Sequence, residues 1–361
     1  MRILIDIGHP AHVHLFRPFT EEMMKRRHVI FLTFRQKEFE IELLKASAFD
    51  YKCFGRHYKS FPGKIWGLVK FNIQMIFTAV KFKPDLFLSH GSIYAAQVAW
   101  LLNKPHISLE DTFNFEQIRL YKPFTSCILT GDYPHPGLGQ KEINYSGYHE
   151  LAYLHPNHFN FSKISGQEIL GLEKNEKYLI LRFVSWEATH DKGHSGFTSK
   201  MKREVVGEYS KYCSVFISSE KELPMELEKY KLTIKPEMIH YVLKDALLVI
   251  GESATMATEA AMLSTPGIFI DNTGRFYTKE LEEKYGLVFN FTASPIDQER
   301  ALKKGLELLQ ANNLKKHFIK KRNKMLQNKI DVTAFLVWFV ESYPESIRIL
   351  KDNPDYQYRF K

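Results

Sequence analysis

The sequence predicts an α/β protein built from parallel sheets in two domains. Short apolar runs, typical of buried strands, alternate with segments whose apolar residues recur at helical spacing. A repeated order of strand, helix and strand favours a parallel sheet with helices on both faces. The chain also has 361 residues, which is more than one hydrophobic core usually supports. We therefore expect two domains that share one architecture.

The predicted elements divide the chain into two halves and a tail. In the first half, strands are predicted at 2–7, 28–34, 85–89, 106–109 and 127–130, with helices at 16–26 and 93–102. In the second half, strands are predicted at 178–184, 214–218, 232–234, 247–250 and 268–271, with helices at 197–212, 236–244, 253–263, 278–285 and 295–310. The segment 133–161 has no sustained period and is interpreted as the interdomain connection. The predicted domains are 1–160 and 161–330, and a helical tail at 331–361 is expected to pack back on the first domain.

Composition bounds the class of protein. A hydrophobic content of 44% and an aromatic content of 14% indicate a globular protein. The 3 cysteines lack metal-like spacing and are too few for a disulfide framework, which fits a reducing cytoplasm. Asp6 interrupts the N-terminal apolar run, so this run is interpreted as a strand and not as a signal peptide. The formal charge of +9 favours an anionic partner, which could be a phosphorylated substrate, a lipid surface or nucleic acid.

The stretch 247–271 carries a binding signal. It is interpreted as a buried strand, a turn, a helix that Ser253 caps, and a second buried strand. Unpaired backbone N–H groups at a helix start favour a phosphate. Glu252 and Glu259 are the acidic residues of this segment, and a carboxylate on the helix could accept hydrogen bonds from ribose, so the pattern fits a nucleotide. The alternative is an ordinary strand, helix and strand whose small residues only pack.

The first loop follows the first strand, where an α/β domain places ligands. It begins with Gly8 and His9 and has no G-x-G-x-x-G pattern, so it does not fit a Rossmann dinucleotide site. His12 could be a general base, because an imidazole needs little tuning of its pKa to work near neutrality. Alternatively, these histidines cap and pack. A metal site at His12 and His14 lacks a third ligand nearby in the sequence, and no metal is expected.

The loop 182–194 follows another predicted strand and is dense in charged and hydrogen-bonding groups. Arg182 is the candidate for a bidentate contact with a diphosphate. Ser185 and His190 are further candidates for binding the substrate. The histidines of this loop and Asp191 could also suit a metal. An anion site is favoured, because their spacing is not that of a known zinc helix and no other acidic cluster supports a cation. The alternative is a solvated surface loop.

Shorter polar signals follow three more strands. One of them, at 89–92, lies before the predicted helix at 93–102 and favours an anion at the helix start. Ser219 and Glu220 come after the strand at 214–218, where a hydroxyl and a carboxylate could reach the same site. Asp111 follows the strand at 106–109 and is the carboxylate of the first half best placed to orient or deprotonate an acceptor. The alternative for Asp111 is a turn or N-cap residue.

Residues 64–83 combine aromatic and basic side chains in one predicted helix. A basic aromatic helix of this kind could lie in a membrane interface. Because its lysines cluster at the ends, the pattern favours a domain helix that buries its aromatic side chains and solvates its lysines. Peripheral membrane contact through 64–83 is the alternative.

Six long motifs follow one another along the chain, and their sequence and order carry a family resemblance. They are GHPAHVHLFRPF, KPDLFLSHGS, GYHELAYLHPNHF, RFVSWEATHDKGH, FISSEKELP and IGESATMATEAAMLSTPGIFI. With these segments the chain resembles the prokaryotic family known as domain of unknown function 354, over residues 1–289. That family is similar to a branch of the superfamily that contains GT-B glycosyltransferases and UDP-N-acetylglucosamine 2-epimerases.

The resemblance implies a GT-B-like fold with two Rossmann-like domains, a nucleotide-sugar held mainly by the C-terminal domain, and no obligatory metal. By motif, Ser253, Ala254 and Thr255 would meet the diphosphate, and Glu259 would meet the ribose. His12 would occupy the first-loop position that a histidine uses in several members. The epimerases carry a G-T-R-P-E type of first loop, which this chain lacks, and this departure puts epimerisation in doubt.

The leading hypothesis is a cytoplasmic GT-B glycosyltransferase that moves a sugar from a UDP-linked donor to a polysaccharide or lipid-linked acceptor. His12 would be the base, with Asp111 as its partner or substitute, and Arg182 would stabilise the leaving diphosphate. The alternatives are a UDP-sugar 2-epimerase and a non-catalytic nucleotide-sugar-binding protein, which could also dock on the inner membrane face. We expect no cofactor besides the nucleotide-sugar substrate and no nucleic acid partner, and the oligomeric state is open.

Overall fold

The structure, a computed structural model, describes residues 1–37, 40–47, 49–58, 60–184 and 196–361. The chain divides into two compact units. Unit 1 contains Met1–Tyr153 and Lys329–Lys361, and unit 2 contains Leu154–Asn328. The C-terminal segment therefore belongs to the same unit as the N-terminus.

Strands and helices alternate along most of the described chain. The strands are β1 (Arg2–Ile7), β2 (Val29–Gln36), β3 (Tyr51–Arg56), β4 (Leu86–His90), β5 (His106–Glu110), β6 (Cys127–Gly131), β7 (Glu142–Tyr145), β8 (Tyr178–Phe183), β9 (Ser214–Ser219), β10 (Val249–Gly251), β11 (Gly267–Ile270) and β12 (Val288–Phe291). The α-helices are α1 (Pro10–Lys25), α2 (Glu40–Lys45), α3 (Phe61–Phe82), α4 (Ile93–Leu101), α5 (Phe115–Tyr121), α6 (Leu151–Leu154), α7 (Gly166–Leu170), α8 (Ser199–Tyr209), α9 (Ile239–Asp245), α10 (Ala254–Met262), α11 (Phe276–Glu283), α12 (Pro295–Gln310), α13 (Leu314–Asn328), α14 (Val332–Glu341) and α15 (Glu345–Asp352). Short 3-10 helices lie at Lys122–Phe124, Met225–Tyr230, Pro236–Met238 and Pro354–Phe360.

Each unit is organised around one parallel sheet. The sheet of unit 1 has 7 strands in the order β3-β2-β1-β4-β5-β6-β7, and that of unit 2 has 5 strands in the order β12-β11-β10-β8-β9. Because parallel strands all end at one edge of a sheet, the loops after β1, β4 and β5 are neighbours in unit 1. The loops after β8 and β10 are neighbours in unit 2 for the same reason. The predicted α/β class with two parallel-sheet domains is confirmed.

Three local predictions need correction. The segment 133–161 contains the boundary between the units, after Tyr153, but it also contains β7, a strand that pairs in parallel with β6 and extends the sheet of unit 1. The described residues at 232–234 form no strand. The contact with β9 is an isolated bridge between Lys231 and Ile217, in which Leu232 N donates to Ile217 O over 2.8 Å. The first helix is predicted at 16–26, but α1 already begins at Pro10. It begins there because the ring of His9 accepts a hydrogen bond from Ala11 N over 3.2 Å and caps the helix.

Helix α3 also departs from its predicted burial. Phe71 and Met75 are buried in a core cluster with side chains of β1, β3, β4 and α4. By contrast, Trp66 and Phe77 are exposed by 61% and 69%. The favoured prediction that this helix buries its aromatic side chains is wrong for these two residues, because they lie on a second apolar face that does not contact the core. No described helix is long and apolar enough to cross a membrane.

A buried ion pair ties the ends of the central strands of unit 1 together. Asp6, at the end of β1, is fully buried, and both of its carboxylate oxygens lie 2.9 Å from Arg35 Nη1 of β2. Thr33 Oγ1 donates to Asp6 Oδ1 over 2.7 Å, and Ser92 Oγ donates to Asp6 Oδ2 over 2.5 Å. Arg35 Nη2 also donates to the carbonyl oxygen of Ile7 over 3.2 Å. This network fixes the backbone from which the first loop starts.

Replacement of Asp6 by alanine should strongly destabilise unit 1. The substitution leaves the guanidinium of Arg35 buried without its carboxylate, which costs about 3–5 kcal/mol of the free energy of unfolding. Urea denaturation of the Asp6→Ala variant measures this loss. Glu345→Ala, which removes a carboxylate from an exposed pair with Arg348, is the matched control and should have little effect. Equal stability of the two variants would contradict the assignment.

Candidate functional site

Four side chains lie together at the carboxyl edge of the sheet of unit 1, and we call them the His–Asp cluster: His12, His90, Asp111 and His149. His90 Nε2 lies 2.9 Å from Asp111 Oδ1, and His149 Nδ1 lies 3.0 Å from Asp111 Oδ2. The ring of His12 packs on that of His90, with 4.5 Å between ring centroids. The structure therefore brings together the two residues predicted to be catalytic, His12 and Asp111, and adds two histidines.

The neighbouring residue Glu110 fixes the turn in which Asp111 lies. Glu110 is buried at the end of β5, and its Oε1 accepts hydrogen bonds from the backbone N–H groups of Thr112 and Phe113, each over 2.9 Å. Its Oε2 accepts from the hydroxyl of Tyr121 over 2.6 Å. The backbone on both sides of Asp111 is thus held, and its carboxylate has a defined direction.

A glycine turn positions His90 at the end of β4. Gly91 has φ +60°, a left-handed conformation that glycine adopts without strain. Its N–H donates to Ser108 Oγ over 3.0 Å, and its carbonyl accepts from Gln117 Nε2 over 2.6 Å. Both backbone polar groups of Gly91 are therefore hydrogen-bonded. They hold the backbone from which the side chain of His90 reaches Asp111.

The protonation states follow from burial and charge. Burial raises the pKa of Asp111, but His149 and His90 outweigh it and hold this pKa well below its ordinary value. Burial lowers the pKa of His90, yet the charge of Asp111 more than offsets it and raises this pKa above 6.5. Asp111 is therefore an ionised carboxylate that accepts hydrogen bonds from two rings.

His149 is left with one ring nitrogen unused. Because its Nδ1–H donates to Asp111, the Nε2 of a neutral His149 carries a lone pair. The residue is only 7% exposed, and Nε2 is buried without a hydrogen-bond partner among the described residues. The ring of Tyr145 stacks beside it, with 6.2 Å between ring centroids. A carboxylate that orients an imidazole in this way is the arrangement found in general bases.

His12 has the opposite arrangement. The backbone N–H of Gly8 donates to His12 Nδ1 over 3.2 Å, so the proton of a neutral ring lies on Nε2. Burial, together with His90 and His9, lowers the pKa of His12 well below 6.5 and keeps the ring neutral. In this tautomer His12 is a hydrogen-bond donor at Nε2. Of the other first-loop residues predicted to bind substrate, Gly8 holds this ring and His9 caps α1.

The cluster also contains a set of metal-type ligands. Within the described residues, His90, Asp111 and His149 could hold a metal ion, since their ligand atoms all lie within 4.8 Å of one another. Each carboxylate oxygen of Asp111 is, however, at hydrogen-bond distance from one ring nitrogen. Hydrogen bonds thus satisfy both carboxylate oxygens without a cation, and we derive no chemical step through a metal.

The turn after β10 is the corresponding feature of unit 2. Ser253 caps α10, and its Oγ accepts from Met256 N over 3.2 Å. Ala254 and Thr255 are the first residues of α10, so the residues predicted to meet a diphosphate form a helix N-terminus at the carboxyl end of a strand. Sequence and structure agree on where this helix begins.

Glu252, which precedes the helix, has a structural role. Its buried carboxylate accepts from Val184 N over 2.7 Å and from Phe197 N over 2.6 Å. It therefore joins the backbone on the two sides of 185–195. The predicted binding residues Ser185 and His190 lie outside the described residues.

Arg182 lies at the end of β8 and forms polar contacts with β9 and the residue after it. Its Nη1 donates to Ser218 Oγ over 3.1 Å, and its Nη2 forms an ion pair with Glu220. In the sheet register, Arg182 lies opposite Gly251, the last residue of β10. Three of the predicted residues, Arg182, Ser219 and Glu220, thus lie at the same sheet edge as the α10 N-terminus.

Glu259 is buried and has a partner that the sequence does not indicate. Its Oε1 lies 2.9 Å from Nε2 of His240 on α9. The predicted contact between Glu259 and a ribose stays a prediction, and the observed contact joins α10 to α9.

The segment 89–92 is predicted from the sequence only as an anion-binding helix start, and neither His90 nor His149 is selected as a site residue. His90 lies in a Ser-His-Gly-Ser segment directly after a predicted strand, and that position was the available signal. His149 follows β7, which has too weak a pattern to be recognised as a strand. Only the tertiary structure, in which β7 pairs with β6, indicates that His149 belongs to the site.

Replacing Asp111 by asparagine should change stability in a pH-dependent way. Protonated His90 stabilises the wild type below its ordinary pKa of 6.5, and this contribution is lost as the pH rises through the raised pKa. In Asp111→Asn the charge that raises this pKa is gone. We expect the variant to be less stable by about 3 kcal/mol near pH 6, with a smaller difference near pH 8, in urea titrations. Asp355→Asn, at an exposed position, is the control, and a difference independent of pH for Asp111→Asn would contradict the assigned charges.

Several solved structures share this fold. S. aureus MnaA in complex with UDP is 12% identical, with a TM-score of 0.68 over 96% of this chain and 97% of that one. UDP-GlcNAc 2-epimerase from Neisseria meningitidis, bound to UDP-GlcNAc, is 14% identical, with a TM-score of 0.63 over 88% of this chain and 94% of that one. SsfS6, a glycosyltransferase from Streptomyces sp. SF2575, is 12% identical, with a TM-score of 0.59 over 94% of this chain and 99% of that one. These likenesses confirm the predicted GT-B-like fold.

The sequence comparisons add the family. No curated protein matches the chain. The family model described as protein of unknown function (DUF354) matches residues 1–280, which confirms the resemblance seen in the sequence motifs. The chain belongs to the DUF354 family.

Proposed function

We propose that the protein is a GT-B-type glycosyltransferase that moves a sugar from a UDP-linked donor to a hydroxyl of a saccharide or lipid-linked acceptor. The observation that carries this proposal is the contact between Asp111 and His149, in which an ionised carboxylate orients a buried imidazole. Sugar transfer needs a base that takes the proton of the attacking hydroxyl. Similar structures that contain UDP or UDP-GlcNAc, or that are glycosyltransferases, support the nucleotide-sugar.

In this proposal His149 is the base. Its Nε2 takes the proton of the acceptor hydroxyl as the oxygen attacks the anomeric carbon of the donor sugar, and the bond from that carbon to the diphosphate breaks and releases UDP. The ring becomes an imidazolium, which the negative charge of Asp111 stabilises through the Nδ1–H contact of 3.0 Å. His90 is a positioning residue, because its contact with the other oxygen of Asp111 keeps the carboxylate aligned.

The proposal gives His12 a different role from the one predicted from the sequence. A neutral ring with its proton on Nε2 donates a hydrogen bond and cannot accept a proton at that atom. We therefore assign to His12 a hydrogen bond to an acceptor or sugar oxygen, and we assign the base function to His149.

Unit 2 binds the donor in this proposal. The N–H groups at the start of α10 and the partial positive charge of that helix end favour the diphosphate. The neighbouring Arg182, whose guanidinium pairs with Glu220, lies at the same sheet edge and supplies further N–H donors for the diphosphate. Both also stabilise the charge that develops on the leaving diphosphate.

Binding of UDP should depend on the first N–H of α10. Ala254→Pro removes this N–H at a position where helices tolerate proline, and Ser253 already has the extended conformation, φ −109° and ψ 111°, that a residue before proline prefers. We expect affinity for UDP, measured by calorimetry, to fall by about 10- to 150-fold, because a hydrogen bond to a charged group contributes roughly 1.5–3 kcal/mol. Ala254→Ser keeps the N–H and should bind normally. A folded proline variant with wild-type affinity would show that the α10 N-terminus does not bind UDP.

Loss of His149 should abolish transfer without weakening donor binding. His149→Gln removes the base but leaves unit 2 intact, so we expect kcat to fall by about 10²- to 10⁴-fold with an unchanged Kd for UDP. Release of UDP from a panel of UDP-sugars with alkyl glycosides as acceptors measures the rate. His158→Gln, at an exposed position of unit 2, is the control. If His149→Gln kept most of the activity, another residue would be the base.

A UDP-sugar 2-epimerase is the second candidate, favoured by the likeness to the Neisseria meningitidis epimerase. Epimerisation needs acid–base groups on both sides of one sugar carbon, whereas transfer needs one base. Incubation with UDP-GlcNAc in deuterated water, without an acceptor, separates the two reactions. Deuterium at C2 of the sugar would establish epimerisation. No exchange in this incubation, together with release of UDP once an acceptor is added, would establish the transferase.

A further inference from the structure

Helix α3 carries an apolar surface that faces solvent, and we call it the α3 stripe. Its side chains are 47% to 69% exposed and are Ile65, Trp66, Val69, Ile73, Phe77 and Val80. At 3.6 residues per turn they fall within an arc of about 120° around the helix. Phe71, Met75 and Ala79 lie on the opposite face and are buried in the core of unit 1. The helix is therefore anchored by one apolar face and exposes another.

An exposed apolar surface of this extent indicates a partner. A surface helix normally has one apolar face, which it turns to the core, and monomeric proteins rarely expose contiguous apolar patches larger than about a few hundred Å². The neighbouring helix α4 packs against α3, with Asn72 Nδ2 2.9 Å from Gln97 Oε1. Trp100 and Leu101, at the end of α4, are also exposed, by 63% and 58%.

The charges on α3 have one sign. The helix contains no aspartate or glutamate, and its lysines are Lys64, Lys70 and Lys81, with Lys83 as the C-cap. Lys81 and Lys83 are exposed, and the whole chain has a formal charge of +9. An apolar stripe flanked by lysines complements a surface that is apolar inside and negatively charged outside.

We propose that the α3 stripe docks the protein on an anionic phospholipid bilayer. Trp66 and Phe77 enter the boundary between headgroups and acyl chains, where aromatic rings are favoured, and the lysines contact anionic headgroups. Because the opposite face of α3 is packed in the core, the helix lies in the plane of the interface. Pairing of two copies through the same stripe would instead bring lysines together with no acidic residue on either helix to neutralise them.

Co-sedimentation with vesicles tests the docking. We expect the full chain to bind vesicles of phosphatidylcholine and phosphatidylglycerol, to bind less at higher salt, and to bind pure phosphatidylcholine weakly. The double variant Trp66→Gln, Phe77→Gln should lose most of the binding. Lys81→Gln and Lys83→Gln should each weaken it by about fivefold, the contribution of one basic residue near an anionic surface.

Matched controls and one further measurement make the test decisive. Met225→Gln and Ile296→Gln remove exposed apolar side chains from unit 2 and should bind like the wild type, and thermal unfolding shows that each variant is folded. Failure of the wild type to bind anionic vesicles, or normal binding by the double variant, would overturn the proposal. A wild-type dimer that the double variant dissociates, without vesicle binding, would identify a second copy as the occupant. Vesicle binding is measured without nucleotide-sugar, so it does not depend on the proposed transferase activity.

Discussion

The candidate chemistry depends on the carboxylate of Asp111, which is held between two imidazoles. A carboxylate with little contact with water is costly unless it is paired. The side chain of Asp111 is 15% exposed, and His90 and His149 each contact one of its oxygens, at 2.9 Å and 3.0 Å. The same contacts decide where the protons are. Because His149 directs Nδ1–H at the carboxylate, its other nitrogen keeps a lone pair, whereas the Gly8 N–H places the proton of His12 on Nε2. Neighbouring histidines thus acquire different chemical roles.

The strand order of the sheet gathers these residues. β1, β4 and β5 are adjacent, so His12, His90 and Asp111 reach one edge although they are far apart in sequence. In unit 2, the adjacent strands β8 and β10 bring Arg182 to the N-terminus of α10 in the same way. Parallel sheets commonly hold ligands at this edge, but the reaction depends on the side chains that a given chain supplies there.

Much of this arrangement could be predicted from the sequence, because apolar periodicity marks the strands and the polar residues directly after them. His12, Asp111 and Ser253 were accessible in that way. His149 was not, since its approach to Asp111 requires β7 to pair with β6. The partners of Glu252 and Glu259 are backbone N–H groups and a histidine distant in sequence, which no local pattern reveals. For α3, periodicity predicts a helix but cannot decide which of two apolar faces is buried.

The tautomer of His149 is the most direct test of this account. In protein labelled with ¹⁵N-histidine, NMR spectroscopy near neutral pH distinguishes a ring nitrogen that carries a proton from one that carries a lone pair. We predict a protonated Nδ1 and a lone pair on Nε2 for His149, assigned by comparison with His149→Gln, and the reverse pattern for His12. A proton on Nε2 of neutral His149 would contradict the assignment of this residue as the base.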